Sequence, residues 1–424
     1  MNWNAAPQLR QRPVAIVAVQ REETNNMSVQ ATNAEGQIVR YTDRRRWLWS
    51  LSLMWPLLPV MSCAIVAKTG QPVWYWATWM IWYLAVPVLD YLLPADASNP
   101  PPEVVPQLDA DLYYRILPML TVPIHYITLF YCAWVIGTGD LAWHSILGLA
   151  LGVGLVNGLA INTGHELGHK TTTLERWCAK TVLAVVGYGH FFIEHNKGHH
   201  KDVATPEDPA SSRMGENIYG FACREIPGAM RRAWASEKTR LARSGKSPWT
   251  LQNEVLQPLL ITVPLYVGLT VAFGWVMVPF LALQTIWGWF GVLTSANYIE
   301  HYGLLRQKRD NGRYEACQPY HSWNSNHVMS NLILFNLQRH SDHHANPTRR
   351  YQSLRNFEDL PEYPSGYPLM FLIALFPPIF FAVMNPRVVA WADGHFDRIN
   401  IRPGYRARLE ARWGRRGGKA AASA

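Results

Sequence analysis

Long stretches without a charged side chain alternate with charge-rich segments along this sequence. Residues 47–67, 71–89, 116–139 and 141–164 contain no Asp, Glu, Lys or Arg, and neither does the 45-residue run 255–299. A helix needs about 20 mainly apolar residues to cross a bilayer. The first four stretches therefore read as single spans. The fifth is long enough for two, with Gly274 and Pro279 marking the turn. The predicted spans are about 47–67, 71–93, 116–138, 142–164, 255–275 and 278–299. A shorter apolar run, 367–383, is broken by Pro377–Pro378 and reads as an interfacial helix packed under the bundle. The expected fold is all-α: an integral membrane bundle of six transmembrane helices with a cytoplasmic helical cap.

The polar remainder sets the boundaries and the orientation. Residues 1–43 are polar and expected to be disordered, 44–390 form the membrane domain, and 391–424 form a basic tail. Residues 1–40 lack a charged start followed by an apolar stretch, so no secretory signal is expected. Basic residues favour the cytoplasmic side, which places Arg44, Arg45 and Arg46 there. Six spans then put 165–254 and everything after 299 on that side. The first of these segments carries Arg231, Arg232, Lys238, Arg240 and Arg243, whereas the far-side loops hold only Lys68 among basic residues. The expected location is the inner (cytoplasmic) membrane of a bacterial-type cell. Positive-inside topology accounts for most of the net charge of +9, although that charge would also attract an acidic partner. No nucleic-acid partner is expected. The five cysteines (Cys63, Cys132, Cys178, Cys223, Cys317) form no CxxC pair, which argues against zinc–thiolate, iron–sulfur or disulfide frameworks.

Candidate chemistry lies in the histidines. Nine of the 15 fall at His165 and His169, at His195, His199 and His200, at His301, and at His340, His343 and His344. Their spacings are HxxxH, HxxxHH and HxxHH. Helical residues three or four apart share a face, so each cluster aims at least two imidazoles at one point. Adjacent residues diverge by about a third of a turn, so His199 and His200 can serve different ions. Nine imidazoles exceed the needs of one ion and suggest a pair. Imidazole suits iron, copper, zinc or nickel better than magnesium or calcium. Topology places every one of them on the cytoplasmic side. The sequence HELGH (165–169) also fits the HExxH zinc-protease helix, but that use leaves seven histidines idle. Soluble di-iron carboxylate bundles carry Glu-x-x-His on two helices, whereas that spacing occurs here once, at Glu166–His169.

The boxes and their surroundings, NTGHELGHK, FFIEHNKGHHKDVATPEDPASSR, SANYIEHYGLLR and LQRHSDHHANPTRRYQSL, resemble the alkane 1-monooxygenase family of the membrane histidine-box di-iron superfamily. The likeness covers roughly residues 45–390. NYIEHYG, with His301, separates this branch from the desaturases. The resemblance implies two non-haem iron ions held by the nine histidines, with O2 and a membrane-borne alkane as substrates. It also implies a separate rubredoxin, reduced by its own reductase, as donor of two electrons. The implied reaction is hydroxylation of the terminal methyl of a medium-chain alkane to a 1-alkanol. Rival readings are a xylene or fatty-acyl hydroxylase or desaturase of the same superfamily, and a metal transporter or sensor without turnover. Transporters place ligands along a path at the midplane, whereas these histidines gather on one side.

Other residues are assigned supporting roles. Asp90, Asn162, Glu166, Glu194, Asp202, Asp208, Glu300 and Asp342 are candidates for orienting the ligand imidazoles. His125 reads as a packing residue within its span. His144, His190, His321, His327 and His395 lack ligand spacing. Each buried methylene of an alkane contributes about 0.8 kcal/mol, so channel length should select chain length. Trp76, Trp79 and Trp82 recur along the second span; the first two read as an aromatic belt, and Trp82 as a wall of the substrate channel. Its replacement by Ser is expected to extend the accepted alkane length.

Overall fold

The computed structural model describes residues 28–414, and the expectations for 1–27 and 415–424 lie outside it. A hairpin comes first: strands β1 (Ser28–Thr32) and β2 (Ile38–Thr42) pair antiparallel, with Ser28 opposite Thr42. No regular structure was expected there. The turn is closed by Asn33, whose side-chain oxygen accepts the Gln37 amide at 2.8 Å. Val29, Ala31, Val39 and Tyr41 pack onto a small core that includes Trp49, Leu108, Phe335 and Tyr351. That burial holds a two-stranded ribbon that would be marginal alone.

The remainder is mostly helical. Among the described residues, five helices are long and apolar enough to cross a membrane. They are α1 (Arg46–Thr69), α3 (Leu112–Thr138), α4 (Trp143–Gly168), α8 (Leu256–Phe273) and α9 (Met277–Glu300). The predicted span 71–93 is not among them, because Trp74, Tyr75, Trp76, Trp79, Trp82 and Tyr83 make it less apolar than the five. Residues 72–92 (α2) are helical, but they are assembled from a 3-10 turn, an α turn, a π turn over Ile81–Ala85 and a last α segment. Pro72 starts the run and Pro87 interrupts it, because proline cannot donate to the preceding turn.

The ends of these helices align. Arg46, at the start of α1, forks onto the Asp111 carboxylate that caps α3, and the Tyr113 hydroxyl donates to the Arg46 carbonyl at 2.6 Å. Asp111 also accepts from the Tyr113 amide at 2.9 Å, satisfying a first-turn donor.

The most enclosed helix is α4, with 78% of its apolar window buried against at most 50% in the other four. It meets α9 through small residues. A Cβ on Gly154 would lie 2.8 Å from the Gln284 carbonyl oxygen, and one on Gly158 would lie 2.5 Å from Val292. Close backbone approach of this kind is how membrane helices gain packing energy where lipid offers no hydrophobic drive. A polar chain crosses the same region: His125 Nδ1 meets Asn157 Oδ1 at 3.2 Å, and Asn157 donates to Gln284 at 3.2 Å. His125 is thus a packing residue, as expected.

Beyond the bundle lie α5 (Thr173–Ala184), α6 (191–202), α7 (Ile218–Ala242), α10 (Val328–Ile333) and α11 (His340–Ala345). The apolar run 367–383 splits into α12 (Tyr367–Ala374) and α13 (Pro377–Trp391), with the two prolines in the first turn of α13, where no amide donor is missed. The tail continues into a short helical turn at 406–414 that buries Leu409 and Trp413.

Replacement of Gly158 by Val should force α4 away from α9, a cost of about 1–3 kcal/mol for an overpacked contact. The expected result is a lower melting temperature in detergent, read by tryptophan fluorescence. A melting curve matching wild type would refute the close-packing account.

Candidate metal centre

All nine predicted histidines converge at one end of the bundle, in two sets. His165, His169, His195, His200 and His343 form one, and His199, His301, His340 and His344 the other, each with ligand nitrogens within 4.8 Å of one another. Helix α4 supplies the first pair, α6 the middle three, the end of α9 His301, and α11 the last three.

Local helical geometry explains the partition. His165 and His169 lie four apart on α4 and go together, as do His340 and His344 on α11. His343 and His344 diverge into different sets, as do His199 and His200. The exception is the second box. Spacing alone pairs His195 with His199, but the structure pairs His195 with His200, their Nε2 atoms 3.0 Å apart. Residues five apart on an α-helix sit about 140° from each other. A π turn over His195–His199 inserts the extra residue that returns them to one face. Such turns are rare and occur frequently at functional sites.

The donor atoms fit metal ions. His165 and His343 approach at 2.8 Å between Nε2 atoms, His200 and His343 at 3.1 Å, His344 and His340 at 3.0 Å, and His340 and His301 at 3.3 Å. The Nε2 atoms of His169 and His199 are buried without a hydrogen-bond partner among the described residues. A hydrogen bond needs one donor per pair, and neutral imidazole has one. The network therefore leaves lone pairs facing one another, an arrangement that a cation between them resolves. Burial, and then the neighbouring imidazoles, push His195, His200, His340, His343 and His344 well below the ordinary histidine range. They are neutral near pH 7, as metal ligands must be.

The outer contacts set tautomers. His199 Nδ1 donates to Asp208 Oδ2 at 2.8 Å, and His301 Nδ1 to the His321 carbonyl at 3.0 Å. Both leave Nε2 free for an ion. Burial alone would lower His199, but the Asp208 carboxylate overrides it and raises that group, while burial of Asp208 is overcome by His199 and Arg232, which hold it below the usual carboxylate range. Glu300 lies 3.4 Å from His340 Nε2 and accepts the Tyr367 hydroxyl at 3.1 Å.

The other candidates are placed differently. Asp90 accepts the Ser330 amide at 3.0 Å, Asp202 faces Arg232 at 3.6 Å, and Asp342 holds Arg349 at 2.6 Å and Asn346 at 2.7 Å. Glu166 pairs with Lys170 at 3.0 Å, which occupies it away from the role of a protease base. Glu194 binds Arg232. Asn162 donates to the Leu334 carbonyl at 2.7 Å, tying α4 to the chain after α10. Of the five histidines without ligand spacing, His144 and His395 are exposed, and His190, His321 and His327 stand outside both sets.

A narrow cavity of about 40 Å³ touches both sets through His165, His195 and His340. Its remaining wall is largely apolar: Leu159, Val292, Ala296, Leu334, Leu337 and Phe371, with Asn162, Asn297 and Glu300 as polar exceptions. Trp82 is fully buried and does not line it; its ring sits 6.2 Å from that of Phe371, one layer behind the wall.

Three residues outside the boxes shape the site. Asn324 brackets α11, accepting the Ser341 amide at 3.0 Å and donating to its hydroxyl at 2.6 Å. Tyr367 holds Glu300, and Arg232 holds Glu194 and Asp208. None belongs to a repeated pattern, so spacing offered no signal for them.

Comparison with known proteins adds an independent line. The family described as fatty acid desaturase matches residues 140–374. Alkane 1-monooxygenase 1 of Alcanivorax borkumensis is 57% identical over 394 residues, 93% of this chain and 97% of that protein. Alkane 1-monooxygenase of Ectopseudomonas oleovorans is 58% identical over 361 residues, 85% of this chain and 90% of the relative. That of Pseudomonas putida is 57% identical over 367 residues, 87% and 91% respectively.

The two sets should be separable by mutation. His343→Ala and His344→Ala remove adjacent residues from different sets, so each should lower bound metal from two ions toward one, with different coordination spectra remaining. Identical residual spectra would contradict the partition.

Proposed function

The chain belongs to the alkane 1-monooxygenase family, and we propose that it hydroxylates the terminal methyl of medium-chain alkanes at a pair of iron ions held by the nine histidines. The balanced reaction is R–CH3 + O2 + 2 electrons + 2 protons giving R–CH2OH + H2O. The observation that carries this reading is the meeting of two all-histidine sets with one largely apolar cavity at the end of a membrane bundle.

His165, His169, His195, His200 and His343 would hold one iron, and His199, His301, His340 and His344 the other. Bound there, the irons supply activation of O2 and the oxidising power to break an unactivated C–H bond. The protein's own residues do the rest. Asp208 and the His321 carbonyl fix the rings of His199 and His301. Glu300, held by Tyr367, lies beside His340 on the cavity wall and is suited to hold a proton there. Leu159, Val292, Leu337 and Phe371 receive the substrate by apolar contact, since an alkane has no polar group to recognise. The narrow cavity would take the reacting end, and longer chains would require side chains such as Phe371 to move.

We count residues 72–92 as the second of six crossings. The starts of α1 and α3 are tied together by Arg46 and Asp111, so the chain between them must return across the bundle. Twenty-one helical residues at about 1.5 Å each span about 30 Å. Six crossings and the basic segments beside the site support a position for the histidines on the cytoplasmic side of the inner membrane. A separate reduced rubredoxin would reach them there and supply the electrons.

Purified protein with iron, O2 and reduced rubredoxin should convert octane to 1-octanol. Activity on xylene or a fatty acyl substrate with none on octane would redirect the assignment, and two bound irons without any product would favour metal handling over catalysis. Trp82 stacks between Trp55 and Phe371. Trp82→Ser should let Phe371 recoil and extend the accepted alkane length. An unchanged product profile across chain lengths would remove Trp82 from the specificity account.

A further inference from the structure

We propose that Arg232, on α7 and outside every histidine box, is the positioning residue that sets the four-histidine site by locking Asp208 onto His199. This rests on the reading that the histidines hold irons. Arg232 Nη2 lies 2.8 Å from Asp208 Oδ1 and also contacts Glu194. Both carboxylates are buried, Asp208 completely. An uncompensated charge is strongly disfavoured in such a place, and this one guanidinium serves both.

The geometry continues to the ligand without a gap. Asp208 Oδ1 takes Arg232 and the Ala210 amide at 3.2 Å. Its other oxygen takes the Ser211 hydroxyl at 2.7 Å and His199 Nδ1 at 2.8 Å. Four donors leave the carboxylate one orientation, and the carboxylate leaves the His199 ring one tautomer. A hydrogen-bonded carboxylate also makes the imidazole a more basic ligand.

The box itself accommodates this arginine. A Cβ at Gly198 would lie 2.4 Å from Arg232 Nε, so the guanidinium lies against the π turn that separates His195 from His199. Glu194 immediately precedes His195, a ligand of the other set, but its hydrogen-bonded partner is Arg232 rather than an imidazole. The geometric path from Arg232 to a ligand ring therefore runs through Asp208 to the four-histidine site.

The test compares iron per chain and Mössbauer spectra of full-length wild type, Arg232→Gln, Arg232→Lys and, as a control, Arg231→Gln. Arg231 is exposed on the same helix. The expected result is that Arg232→Gln loses or alters one iron signal of two, its content falling toward half, while Arg232→Lys recovers part of that signal and Arg231→Gln matches wild type. Two unaltered signals in Arg232→Gln, or equal loss of both in a folded protein, would overturn the proposal. If Arg232→Gln does not fold, Asp208→Asn decides: loss of the same single signal supports the path through Asp208, and an unchanged spectrum overturns it. Failure of wild type itself to bind iron would instead defeat the reading of the site on which the proposal rests.

Discussion

Nine imidazoles gathered in two sets, each with its ligand nitrogens within 4.8 Å of one another, bring together lone pairs that repel unless cations lie between them. The architecture follows from that constraint. Burial favours the neutral form of His195, His200, His340, His343 and His344 and so keeps their lone pairs available, whereas the Asp208 carboxylate raises His199. Burial also requires the acidic groups nearby to be paired, because an unpaired charge in such surroundings would be expelled or protonated. Hence Asp208 and Glu194 share Arg232, Glu166 takes Lys170, and Asp342 takes Arg349. The site is a set of fixed donors prepared by packing, rather than a flexible cluster that closes around its ions.

The membrane helices answer to a second requirement. An alkane is recognised only by shape and apolar contact, so the path to the metals must be dry and closely walled. Glycines at the α4–α9 crossing let the helices approach closely. The cavity lies between these helices, α12 and the histidine cap. The same helices that form its wall carry His165 and His301 at their ends, which couples the substrate's path directly to the ligand positions.

Much of this was legible in the sequence, for identifiable reasons. Charge-free runs of span length report a bilayer, and five of the six predicted crossings are helices long and apolar enough to cross it. The separation of His199 from His200 follows from the helical repeat. The pairing of His195 with His200 does not, because it depends on a π turn that no spacing rule encodes. Carboxylates adjacent to a histidine in sequence were poor guides to its neighbours in space: Glu166, Glu194 and Asp342 point to basic partners, since adjacent helical positions diverge by about 100°. Asp208, nine residues from His199, reaches it through folding alone, and Arg232, still farther along, reaches Asp208 in the same way. The hairpin at 28–42 was missed because its strands are short and mostly polar, and the core that holds it comes from distant parts of the chain.

The central claim is that two distinct histidine sets each hold one iron. X-ray absorption of the purified, iron-loaded protein, combined with elemental analysis, tests it most directly. Two irons per chain, coordinated mainly by imidazole nitrogen, are expected. A single metal ion per chain, or a shell built mainly from carboxylate or sulfur ligands, would contradict it.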